Sequence, residues 1–159
     1  LYAILKDRSR GASWHWAFFL PKPGNDAKRE VGLRWRTTFE NPESEWRYEA
    51  AEVDLKQETH MVVAVKLADL SAMGAYEDVV ESIGTVLKQI RIDKGAVHLD
   101  EFSDRSWFLA GVAALNELGY VNCENVAALE KEIRNAAMMS TSKCVYQNEM
   151  SVMTSETCS

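Results

Sequence analysis

A chain of 159 residues, 47% apolar and 26% charged, has material for one folded core and none of the bias of a disordered segment. Its net charge of −6, without a clustered basic stripe, argues against nucleic acid or an anionic membrane surface as partner. No stretch approaches the roughly 20 apolar residues of a membrane span; the longest apolar run, Trp107 to Leu115, ends in Asn116 and Glu117 and reads as a buried helix.

The first half carries strand patterns. Leu1 to Lys6 is short and apolar, and Ser9-Arg10-Gly11 breaks the chain before the aromatic run Trp14 to Leu20, which Pro21 and Pro23-Gly24 stop. After a polar loop from Asn25 to Glu30, Leu33 to Phe39 alternates with period two, and Asn41-Pro42 turns into Trp46 to Ala50, which alternates again. Met61 to Leu67 is Val-rich and continuously apolar, the mark of an interior strand.

The second half carries helical patterns. Val79, Val80, Ile83, Val86, Leu87 and Ile90 recur at helical spacing behind Glu77, Asp78 and Glu81, where the helix dipole favours negative charge. An extended piece, Arg91 to Leu99, leads to Ser103 or Asp104 as cap of a helix that runs to Leu118 and stops at Gly119. A third helix is expected from near Asn122, with Val126, Leu129 and Ile133 on one face. From Met138 the periodicity is lost. The expected organisation is one α+β domain over residues 1–137, an antiparallel sheet of about five strands covered by about three helices, with 138–159 as a tail that closes a strand around Val145-Tyr146 or stays mobile. The chain opens on Leu1 rather than Met, which is compatible with a preceding segment, a cleaved targeting peptide included.

Cys123, Cys144 and Cys158 are odd in number and scattered, which predicts no disulfide framework and a reducing, cytoplasmic compartment. His15, His60 and His98 stand in separate segments without metal-ligand spacing, so no metal and no cofactor are expected. Lys28, Arg29, Arg34, Arg36 and Arg47 are read as a solvated sheet face paired with Glu30, Glu40, Glu43 and Glu45.

Chemistry concentrates in two places. His15 lies on the aromatic strand, where alternation sets it with Ala17 and Phe19 against Trp14, Trp16 and Phe18, and imidazole is a side chain suited to acid/base work. Ser103-Asp104-Arg105-Ser106 opens the apolar helix, whose first N–H groups are unpaired and whose dipole end is positive. Against these stand the ordinary roles of a bonded structural histidine and a helix cap. If His15 and Asp104 share a cavity they form an acid/base pair. The candidate substrate contacts are the aromatic Trp14, Trp16, Trp35, Tyr48 and Trp107, with Arg36 and Ser103.

The order His15-Trp16 on a strand, a Trp/Tyr-rich strand pair, a Val-rich strand, an amphipathic helix and then Phe102-x-x-Arg105-Ser106-Trp107 resembles a group of small uncharacterised fungal proteins with an H-W … F-x-C-R-T-W pattern. That order is loosely similar to permuted papain-like domains of the NlpC/P60 and lecithin-retinol acyltransferase type, which use a strand His and a Cys at a helix N-terminus. The resemblance covers about Trp14 to Ile133, and Asp104 stands where the Cys would be. A carboxylate is a poor nucleophile toward amides and esters. The expectation is therefore a cofactor-independent isomerase, cyclase or lyase acting on a hydrophobic small molecule, with natural-product biosynthesis as the setting the fungal resemblance implies. One alternative is a degenerate papain-like binding module in which Asp104 only caps its helix. The other is a hydrolase or acyltransferase using Cys123.

Overall fold

The computed structural model describes residues 1–8, 13–24, 31–39, 45–92 and 102–158. Among them run β1 (Tyr2–Asp7), β2 (Trp14–Pro21), β3 (Val31–Thr38), β4 (Arg47–Asp54), β5 (Met61–Lys66), α1 (Tyr76–Gln89), α2 (Asp104–Glu117), α3 (Val126–Gln147) and β6 (Ser151–Thr154). The class is α+β, as expected. The sheet has six strands in the order β4-β3-β2-β1-β5-β6, with every pair antiparallel except β5–β6. The parallel edge was not foreseen. It arises because α3 carries the chain back across the sheet before β6 begins.

Register decides the two faces. Phe18 stands opposite Trp35, and Leu5 opposite Trp16 and Val63, so these side chains share the face on which all three helices pack. Val79, Ile83 and Leu87 from α1, Trp107, Phe108, Val112 and Leu115 from α2, and Leu129 and Ile133 from α3 complete that core. Phe18 stacks on Phe108 at 4.3 Å between ring centres, and Trp16 meets the same ring at 5.4 Å. Such pairs add about 0.5–1.5 kcal/mol each beyond the area they bury. The opposite face carries a smaller apolar cluster of Ile4, Ala17, Phe19 and Ala64, capped by Leu55.

Two boundaries differ from the expectation. The third helix starts at Val126 behind the cap Asn125, whose side chain accepts from Ala128 N–H, and not near Asn122. It also runs through the supposed tail to Gln147, so the closing strand lies at Ser151–Thr154 rather than around Val145-Tyr146. The buried positions in its second half are Ala136, Ala137, Ser140 and Cys144, while Met138, Met139, Val145 and Tyr146 face outward. Small residues inside and large apolar ones outside erase the usual helical signature. Most of the extended piece expected over 91–99 falls outside the described residues.

Candidate acid/base site

The site forms where the β1–β2 hairpin meets the start of α2. Ser103 is the N-cap: its hydroxyl accepts from Ser106 N–H at 3.1 Å, and Ser106 Oγ in return accepts from Ser103 N–H at 2.9 Å. This reciprocal box satisfies the first orphan donors of the helix. Asp104 is therefore the first helical residue and not the cap, so its carboxylate is available elsewhere. The idea that Asp104 merely caps its helix does not hold.

Asp104 is 2% exposed, and its Oδ2 accepts from Arg8 Nη2 and lies 3.0 Å from His15 Nδ1. A buried carboxylate stands only when an opposite charge and hydrogen bonds replace its water, and Arg8 supplies both. His15 keeps 44% of its side chain exposed. With Nδ1 turned to a carboxylate, the neutral ring carries its proton there and Nε2 becomes the basic nitrogen. The arrangement is a solvent-facing imidazole oriented by a buried anion.

Asp104 also walls a cavity of about 230 Å³, together with Arg8, Trp14, Trp16, Ser103, Arg105 and Arg134. Of the expected contacts, Trp14, Trp16 and Ser103 are thus brought beside Asp104. Trp35 and Trp107 are 1% exposed and belong to the core. Tyr48 donates to the Gly84 carbonyl at 3.3 Å and packs against Trp107, and burial pushes its hydroxyl up to about 12, so it stays a protonated core group. Arg36 stands on the other face of the sheet, bonded to Glu49 at 2.7 Å. Those four side chains are not among the cavity's walls.

Arg8, Arg105 and Arg134 were missed as site residues. Arg105 lies inside the helix-start motif, and Arg134 sits one turn from Glu130, which takes Arg105 Nη1 at 2.8 Å and Arg134 Nη1 at 3.6 Å. Arg8 precedes the break at Ser9 and carries no sequence signal. A larger and more enclosed cavity of about 400 Å³, bounded by Tyr2, Leu20, Pro21, Leu70 and Tyr76, lies at the far end of β2, six residues and about 20 Å from His15. Its ionic groups Lys22 and Lys66 are paired with Glu52 and Asp69. The smaller cavity is the one that touches Asp104; His15 meets the same carboxylate without being among the cavity's walls.

The cysteines correct the expectation of unpaired thiols. Cys123 and Cys158 form a disulfide with Cα atoms 4.6 Å apart, a pairing that oxidising compartments preserve and reducing ones rarely do. The cytoplasmic assignment loses its cysteine argument. The hydrolase alternative loses its thiolate. Cys144 is buried, and burial followed by the nearby Asp7 pushes its thiol up, against nucleophile chemistry. No group of His, Cys, Asp and Glu among the described residues forms a metal cluster, and none of their helices is long and apolar enough to cross a membrane.

Comparison with protein-family models, with curated proteins and with solved structures finds no match to this chain.

Proposed function

We propose that the protein is a cofactor-independent enzyme that moves a proton on a small molecule, with His15 as the general acid/base, Asp104 holding its ring and Arg8 compensating the buried carboxylate. The observation that carries this reading is the 3.0 Å contact between His15 Nδ1 and a carboxylate only 2% exposed, on an imidazole that itself remains open to solvent. General acid–base groups so placed contribute about 10²–10⁴-fold to a rate. The papain-like resemblance supports the same division of labour. With Asp104 in the place of the nucleophile, covalent acyl transfer is lost while the strand histidine keeps its proton chemistry, which leaves isomerisation, cyclisation or elimination as the reaction classes.

The test works whichever of those net reactions the enzyme performs. Proton abstraction from carbon exchanges substrate hydrogen for solvent deuterium, so a panel of small carbonyl compounds with acidic C–H bonds is followed by NMR in D₂O. The protein should catalyse exchange in at least one member, and His15→Gln should lower it by about 10²-fold or more while the melting temperature stays within a few degrees. Absence of exchange across the panel, or full exchange by His15→Gln, sinks the proposal. His15 is the cleaner site for this test because Asp104 is buried and doubly bonded, and breaking a buried pair costs about 3–5 kcal/mol.

That same burial favours a second reading, in which Arg8, Asp104 and His15 clasp the hairpin to α2 and the cavity binds without turnover. It expects no exchange, with Asp104→Asn losing stability.

A further inference from the structure

We infer that the cavity beside Asp104 receives a small monocarboxylate, gripped by Arg8, Arg105 and Arg134 with its flat apolar body against Trp14 and Trp16; this rests on the acid/base reading and names its substrate class. The first support is an excess of donors. Each guanidinium carries five N–H groups, and among the described residues the three of them share two carboxylates, Asp104 and Glu130. Arg8 Nε is buried and has no acceptor among the described residues. Arg105 and Arg134 are nearly half exposed, so their remaining N–H groups are open to a ligand.

Charge gives the second. Among the described residues, three arginines against two carboxylates leave one positive charge from these groups beside the cavity. A single carboxylate balances it and can be taken in the paired geometry guanidinium groups prefer, whereas a phosphate dianion would overshoot. Size and wall chemistry give the third. About 230 Å³ holds roughly eight water-sized units, below the usual range for drug-sized ligands and enough for one ring with a carboxylate. Trp14 and Trp16, buried on the same side of β2, offer that ring an aromatic surface. The expected hydrophobic substrate thus becomes an amphipathic one, apolar against the indoles and anionic toward the arginines.

Benzoate is the probe. It is titrated into the ¹⁵N-labelled full chain in parallel with benzamide, its neutral counterpart of equal shape, and with inorganic phosphate. Benzoate should shift the Trp14 and Trp16 indole signals saturably, with a Kd of about 1 mM or tighter, and benzamide should bind about tenfold more weakly or worse. Arg105→Gln and Arg134→Gln, both at exposed positions, should each weaken benzoate about tenfold. Equal affinity for benzamide, or unchanged benzoate binding in both variants, overturns the inference, and so does phosphate displacing benzoate at equal concentration. Benzoate binding without deuterium exchange in any carboxylate sinks the acid/base reading alone. Exchange in neutral compounds without benzoate binding sinks the monocarboxylate alone.

Discussion

On the sheet face away from the helices, Arg34 reaches Glu49 at 3.1 Å and Glu58 at 3.0 Å, while Arg36 adds a bond to Glu49 and Lys6 adds one to Glu58. Arg34 is 7% exposed, so this is a half-buried network rather than the solvated face expected, and it engages Glu49 and Glu58 among the described residues. Glu30, Glu40 and Glu43 lie outside the described residues. Glu49 comes from β4, where register sets it opposite Arg36, and Glu58 from the turn before β5. Burial pushes both carboxyls up, but the Arg36 and Arg34 bonds at Glu49, and the Lys6 and Arg34 bonds at Glu58, outweigh it and hold both below their ordinary value of 4.5. Groups depressed in the folded state stabilise it fully above that value and lose the contribution as pH falls through the lower folded ones. Denaturant midpoints measured from about pH 6 to pH 3 should therefore decline below about pH 4.5, and the Glu49→Gln, Glu58→Gln double variant should flatten that decline. An equally steep acid slope in the double variant would assign the effect elsewhere. His15 and Asp104 follow the same lesson: both were singled out by local chemistry, but the Arg8 that completes them lies across a hairpin with no residue pattern pointing to it.

At the scale of elements, α2 is the structural centre, pressed at once on β2, α1 and α3. Gly111 marks how closely. A methyl group there would sit 2.8 Å from Phe18 Cε2 and 2.9 Å from Leu87 Cδ2, with Phe18 locked between Trp107 and Phe108. Alanine in place of glycine raises helix propensity by about 1 kcal/mol, whereas overpacking a filled core costs about 1–3 kcal/mol. The clash wins narrowly, so Gly111→Ala should lower the melting temperature by a few degrees, read by calorimetry; a more stable variant would show that the rings give way. The sequence showed α2 and its stop clearly and left the cap between Ser103 and Asp104, because Gly119 is a local signal and adopts the left-handed φ of 77° such an ending needs. It hid the second half of α3 because that stretch buries alanine, serine and cysteine.

For the whole molecule the C-terminal segment is the fastening. Cys158 ties it to Cys123 ahead of α3, and Glu132 holds the same segment by accepting from Ser155 Oγ at 2.8 Å and Glu156 N–H at 2.7 Å. A bridge closing a 35-residue loop removes chain entropy worth about 3–4 kcal/mol from the unfolded state. Cys158→Ser should cost about 2–4 kcal/mol in the denaturant midpoint, and a reducing agent should do the same to the native chain. No change on reduction would mean that Glu132 and the β5–β6 pairing hold the segment unaided.

Alternation and helical spacing by themselves determined the α+β class, the antiparallel run of strands from β1 to β4, the interior character of β5 and the limits of α2, because each depends on residues within a turn or two of one another. Only the tertiary structure decided the parallel sixth strand, the Cys123–Cys158 pair, the role of Arg8 and the meeting of His15 with Asp104. Those join positions 35 to 96 residues apart, and contacts at such separations are set by how strands register and helices pack, which no local pattern encodes.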